Sequence, residues 1–181
     1  MIETADLAAQ FGERAARLNV RVHAVAPGGE AAALVAILGD VGAESVAIAG
    51  NVPGRDSLVG ACARAGARLV ESADLWPDQR ADLGVSVARM AVAETGSLVV
   101  HSSSEDRRVE LCVDVHAIVV AAADLRPTLD DALRLVREIA ARPPSYVSLI
   151  TGPSRTADIE LIPSIGVHGA REIHVLLVGA P

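Results

Sequence analysis

The stretch Thr151–Arg171, TGPSRTADIELIPSIGVHGAR, gathers hydroxyls, two carboxylates, two arginines, a histidine and several glycines, and no other part of the chain is comparable. Backbone amides around Gly152, with Ser154, Arg155 and Thr156, suit a phosphate or a carboxylate, because N–H groups exposed by a tight turn make a local anion site. The plain alternative is a turn in which Asp158 bonds nearby amides. Asp158 and Glu160 stand two apart, so they share a face on a strand and diverge on a helix. As a pair they can share a proton or hold a hard cation; otherwise they are solvated loop carboxylates. His168, between Gly166 and Gly169, is placed on a tight loop where its ring can carry a proton. His174 sits in an apolar run and reads as a hydrogen-bonded sheet residue.

Two further groups lie upstream. Cys112, Asp114 and His116 are spaced by two, which on a strand would align a thiol, a carboxylate and an imidazole as half of a metal site. Three ligands along one strand are badly angled about one ion, so no metal is assigned to them. Glu94, in the Glu94-Thr95-Gly96 break between two elements, is placed to serve as nucleophile, base or ligand anchor, or as an ordinary loop glutamate. The chain has neither a GxxxxGK phosphate loop nor a GxSxG nucleophile elbow.

These residues must be held by a scaffold that the composition constrains. The chain has 181 residues, 51% of them hydrophobic and 22% charged, which predicts one folded domain over residues 1–181. Only 2% are aromatic, so the core must be built from Val, Leu, Ile and Ala, and base-stacking platforms for single-stranded nucleic acid are disfavoured. Sixteen basic against 23 acidic residues is opposite in sign to a nucleic-acid binder's footprint. No apolar run approaches the length of a membrane span, and the start of the chain lacks a basic region followed by an apolar one, so a cytoplasmic protein is expected. Cys62 and Cys112 form no CxxC pair, giving neither a disulfide framework nor an iron-sulfur ligand set.

Periodicity predicts a helix over Asp6–Leu18, a strand over Val20–Ala26 and a helix from Glu30 capped by Gly39. A strand over Ser45–Ala49 and a helix N-capped by Asp56 and ended at Gly66 come next, then a strand over Ala67–Val70. Ser86–Ala93 is predicted helical, Ser97–His101 a strand and Leu111–Ala121 another. Thr128 and Asp131 spell a capping box for a helix with its stripe at Leu129, Leu133, Val136 and Ile139. Tyr146–Thr151 is predicted as a buried strand and Ile173–Val178 as the last. Strands apolar on both faces, separated by amphipathic helices, imply an α/β fold with an open, mainly parallel sheet and helices on both faces. Ligands in such sheets bind outside the carboxyl ends of the strands, which singles out the loops after Ala49, Ala93, His101 and Thr151.

The segments AVAETGSLVV (91–100), LITGPSRTADIE (149–160) and GVHGAREIHVLLV (166–178) resemble the hallmark segments of the LUD-domain family, in its lactate utilization protein C (LutC/YkgG) group. The resemblance implies a NagB/RpiA/CoA-transferase-like α/β fold and a part in oxidising L-lactate to pyruvate beside two iron-sulfur partner proteins, the clusters residing in those partners. It places family positions at Glu94, Thr95 and Gly96, at Gly152, Ser154, Thr156, Asp158 and Glu160, and at Gly166, His168, Gly169 and Arg171, with His116 where the family often has histidine. Ala170 replaces the proline usual after the last glycine of that motif. Two functions follow as expectations: an accessory subunit that binds an anionic small molecule and docks to iron-sulfur proteins, or an independent enzyme using Glu94.

Overall fold

The computed structural model describes residues 3–141, 146–157, 163–165 and 169–180. Helix α1 (Thr4–Arg17) follows from Leu7, Phe11 and Ala15, four apart and buried on one face. Asn19 then takes a left-handed φ of 59°, a conformation Asn tolerates better than most residues, and β1 (Val20–Val25) begins. Helix α2 (Glu30–Val41), β2 (Ser45–Ile48), α3 (Arg55–Arg64) and β3 (Arg68–Leu69) come next. The end of α2 is not at Gly39, which lies inside the helix, but at Gly42, whose φ of 65° is the left-handed stop that glycine takes without strain. Asp56 does not cap α3: its side chain makes no cap bond, Gly54 holds the N-cap position, and Asp56 lies in the first turn.

The largest departure from the periodicity reading is β4 (Ala81–Val92), a strand of 12 residues that includes the segment predicted as a helix over Ser86–Ala93. The remaining elements are β5 (Ser97–Ser102), the short α4 (Arg107–Leu111), β6 (Val113–Ala121), β7 (Leu125–Arg126), α5 (Leu129–Ala140), β8 (Tyr146–Ile150), β9 (Arg155–Ala157), β10 (Pro163–Ile165) and β11 (Glu172–Val178). The capping box of α5 forms as the sequence predicts, with Thr128 Oγ1 and the Asp131 amide and carboxylate closing on each other. Such a cap contributes about 1 kcal/mol.

Six strands run parallel in the order β1-β11-β6-β4-β2-β3. On one face, α2 and α3 cover Val46, Leu83, Val85, Val115, Ala117 and Leu176; on the other, α1 covers Ile118, Val120, Ile173, Val175 and Leu177. The sheet is therefore dressed on both faces, as expected. Beyond a bulge between Ala88 and Met90, β4 leaves the parallel sheet and pairs antiparallel with β5, which pairs antiparallel with β8. Leu98, Val100 and Ile150 of this extension join the cluster under α1, and α5 packs on its other side against Met90, Val92, Val99 and Val147. Strand β8 is an edge: Tyr146 and Leu149 are exposed and the rest are half-buried. It is not the buried strand predicted, because among the described residues it pairs on one side only, with β5. Among the described residues no helix is long and apolar enough to cross a membrane.

Candidate functional site

The loops after β2 and β5 meet at the carboxyl ends of the parallel strands and open a crevice of about 950 Å³, the size of a small-molecule site. The Gly50 amide donates to Asp106 Oδ1 (2.7 Å) and Asn51 Nδ2 donates to the His101 carbonyl (3.0 Å), tying the two loops together. Arg89, the residue at the β4 bulge, lines the crevice with Arg126; a bulge re-aims its side chain in this way. Arg126 donates to the Ala123 and Leu125 carbonyls, both at 2.8 Å. Glu30, Asp106 and Asp124 add negative charge to the walls. Ser102 is 5% exposed, and its hydroxyl has no hydrogen-bond partner among the described residues.

Two of the four loops expected to hold a ligand, those after Ala49 and His101, are walls of this crevice. The other two are elsewhere. The loop after Ala93 turns back to α5: Glu94 Oε2 accepts from the Leu129 amide (2.8 Å), which makes Glu94 an anchor for the start of that helix. The loop after Thr151 comes down on the amino ends of β1, β6 and β11, because the extension wraps over the α1 side of the sheet. There the Ser154 amide donates to the Ala170 carbonyl (2.9 Å) and the Arg171 amide to the Asp114 carbonyl (2.9 Å).

Of the expected ligand residues, Thr95 and the Thr151 loop do meet. Thr95 Oγ1 donates to Ser97 Oγ (2.8 Å), which lies 2.8 Å from Thr151 Oγ1. Gly96 and Gly152 serve close packing: a Cβ on Gly96 would stand 2.9 Å from the Ala15 amide nitrogen, and one on Gly152 3.3 Å from Leu18 Cβ. Both let the end of α1 lie against the extension. Arg155 and Arg171 meet at a basin of about 500 Å³ shared with Arg21, Asn19 and Glu172. Arg21 pairs with Glu172 (2.8 Å), whereas Arg155 and Arg171 are exposed and have no side-chain partner among the described residues. Among the described residues, three guanidiniums against one carboxylate make the basin positive. Thr156 lies in β9, which pairs with β10. Asp158, Glu160, Gly166 and His168 lie outside the described residues.

The spacing at Cys112, Asp114 and His116 does not bring those side chains to one point. Cys112 packs in the core beneath α2 and α3, Asp114 pairs with Arg80 (3.0 Å), and His116 faces the opposite side, bonding Ser86 Oγ (2.8 Å). Burial pushes the Cys62 and Cys112 thiols up, against the thiolate character that metal binding and nucleophilic attack need. Burial also lowers His116 to about 4, so the ring is neutral at pH 7. His174 is the sheet residue its context predicts: it stacks on His23, with Nδ1 3.0 Å from His23 Nε2, and its Nε2 lies 2.9 Å from Glu172 Oε1.

Sequence reasoning missed Arg89, Arg126, Ser102 and Arg21. Arg89 and Ser102 carried no signal beyond their positions in apolar runs, while Arg126 and Arg21 are lone basic residues that only the tertiary fold brings beside others.

The "Lactate utilization protein C" of Bacillus subtilis is 32% identical to this chain over 104 residues, 55% of this chain and 43% of that protein. The protein of the same name from Halalkalibacterium halodurans is 35% identical over 108 residues, 58% and 45% of the two chains. "Uncharacterized protein YkgG" of Escherichia coli is 32% identical over 104 residues, 55% and 45%. The chain thus aligns with somewhat under half the length of these relatives. A crystal structure of a DUF162 family protein from Deinococcus radiodurans superposes with a TM-score of 0.74 over 99% of this chain and all of that one, at 20% identity, and so shares the fold. Residues 78–178, more than half of the chain and including all three hallmark segments, match the LUD domain, and the chain belongs to the LUD domain family.

Proposed function

We propose that this protein is a lactate utilization protein of the C type: a cytoplasmic accessory subunit that binds a small anion and acts beside iron-sulfur proteins oxidising L-lactate to pyruvate. Its similarity to proteins named for lactate utilization supports the pathway. The observation that carries the ligand class is the basin where Arg155 and Arg171, both without partners among the described residues, flank Arg21. A carboxylate there would receive charge-assisted bonds from two guanidiniums, the geometry in which arginine is most selective. In this reading Ser154, Thr156 and the Gly152 and Gly169 turns shape the loop that presents Arg155 and Arg171, and Thr95 and Gly96 fix that loop to α1 through Ser97 and Thr151. Asp158, Glu160 and His168 are assigned to the same segment by the family resemblance alone.

Titration of L-lactate and of pyruvate into the purified chain, followed by calorimetry, tests the ligand site. Arg155→Ala and Arg171→Ala should each weaken binding roughly tenfold or more, the worth of one hydrogen bond to a charged group, while Arg89→Ala leaves it unchanged. Affinity that survives the Arg155→Ala/Arg171→Ala pair contradicts the assignment.

A second reading, an independent small-molecule enzyme like those of the NagB/RpiA/CoA-transferase superfamily, is favoured by the crevice at the carboxyl ends of the strands, with Arg89 and Arg126 in its wall. Its chemistry would rest on crevice residues, since the Glu94 carboxylate is engaged at the start of α5. In that case the titration reverses, and Arg89→Ala is the substitution that loses binding.

A further inference from the structure

Glu172, at the start of β11, is the only carboxylate among the described residues that line the arginine basin. Its two oxygens have different surroundings. Oε1 takes both contacts that hold the side chain: Arg21 Nη1 lies 2.8 Å from it and His174 Nε2 2.9 Å. An ionised carboxylate only accepts, so both nitrogens donate to that one oxygen. Oε2 has no hydrogen-bond partner among the described residues. The side chain is 28% exposed, and Oε2 is accessible to solvent.

The fold decides which oxygen is free. Glu172 and His174 stand two apart on β11 and share a face of the sheet, as Arg21 and His23 do on β1, the neighbouring parallel strand. His174 is 1% exposed and stacks on His23, with Nδ1 3.0 Å from His23 Nε2. The ring that grips Oε1 is therefore packed in place, and a carboxylate held through one oxygen keeps the other ready to accept. Arg155 and Arg171 can only donate, while Asn19 can do either. Arg171 directly precedes Glu172 in the chain. The basin thus sets two unpartnered guanidiniums beside one anionic acceptor, whose charge Arg21 offsets.

We infer that the basin selects carboxylates with a hydroxyl on the adjacent carbon over the corresponding 2-oxo acids: the ligand carboxylate bonds Arg155 and Arg171, and its 2-hydroxyl donates to Glu172 Oε2. This rests on the reading of the basin as a carboxylate site. A 2-oxo acid carries an acceptor where the hydroxyl would stand, so it faces Oε2 with lone pairs against an anion. An unsubstituted acid leaves Oε2 to water. A hydrogen bond to an ionised group is of the stronger kind, and a site that bonds a ligand hydroxyl rejects the analogue lacking it better than shape alone does. Glu172 is then the residue that sets specificity, while the arginines set affinity.

Calorimetric titration of the whole chain with L-lactate, pyruvate and propionate, at matched ionic strength, reads this selection. L-Lactate should bind at least tenfold more tightly than either of the others, the worth of one hydrogen bond to a charged group. Glu172→Gln, whose amide can donate to a keto oxygen, should bring the lactate-to-pyruvate affinity ratio to one or below, even where freeing Arg21 raises the affinity for all three. The wild-type comparison carries the test if Glu172→Gln does not fold. Pyruvate or propionate binding as tightly as L-lactate overturns this inference and leaves the arginine basin standing, as does a preference that persists undiminished in folded Glu172→Gln. No saturable binding of any of the three overturns the inference and the basin together.

Discussion

Phe11→Ala lowers the unfolding free energy by about 3–5 kcal/mol, the cost of emptying a fully buried aromatic site. Phe11 is the only phenylalanine in the chain and is 0% exposed. Together with Leu7 and Ala15 it forms the buried face of α1, over the cluster that contains Ile118, Val175 and Ala91. These neighbours are short aliphatic residues in a sheet, which cannot swing in to refill the space. The same helix end supports Gly96 and Gly152, so the substitution also loosens the Thr151 loop that carries Arg155. Since domains have only about 5–15 kcal/mol to lose, the loss should appear in urea titration as a large fall in midpoint at unchanged slope. A change below about 1 kcal/mol would mean that α1 is not docked on the sheet.

The second large effect is a loss of stability in mild acid that runs through His116. Its ring is 1% exposed, and burial alone lowers its pKa from 6.5 to about 4. Below pH 6.5 the unfolded chain takes up a proton that the folded chain refuses, so stability falls from about pH 6.5 down to about pH 4 and levels off below. At 1.36 kcal/mol per pH unit the loss is about 3 kcal/mol. His23 acts in the same direction: its pKa is lowered by burial first, then by His174 and Arg21, against Asp40. Asp82 acts at lower pH. Burial, its largest influence, pushes the carboxyl up, but the Ser45 hydroxyl, the Ser45 and Glu44 amides and Arg68 outweigh it, so its contribution is lost only as pH falls below the ordinary carboxylate value. Urea midpoints at pH 7 and pH 4.5 separate the two: His116→Gln should remove most of the change seen in wild type. Parallel losses in the two proteins would place the acid sensitivity elsewhere.

Much of the fold was legible because its helices are amphipathic and its breaks are chemical. Thr128 and Asp131 form the capping box their spacing predicts, and Leu7, Phe11 and Ala15 define α1. The misreading of Ser86–Ala93 has a specific origin. Leu83, Val85 and Val87 keep the period of two on one face, but the bulge at Arg89 puts Ala91 on the same side as Ala88 and turns Met90 and Val92 toward α5, and a run of small apolar residues across that slip has no clear strand signature.

The same slip hid the place of the Thr151 loop. With Ser86–Ala93 read as a helix, the antiparallel extension has no signal in the sequence, and the Thr151 loop is expected at the carboxyl ends of the strands. The extension instead carries it over α1 to their amino ends, where Arg155 and Arg171 meet Arg21. Residue type alone singles out Arg155 and Arg171, whereas Arg21 is paired with Glu172, a neighbour that only the tertiary fold supplies.

The most direct measurement of the proposed role is anaerobic affinity purification of this protein from its native host growing on L-lactate, with co-purifying proteins identified and iron counted. An accessory lactate utilization subunit should bring iron-sulfur partners with it, in amounts near its own and with iron accounted for by them. A bare, iron-free protein from lactate-grown cells would contradict that role and turn attention to the crevice at the carboxyl ends of the strands.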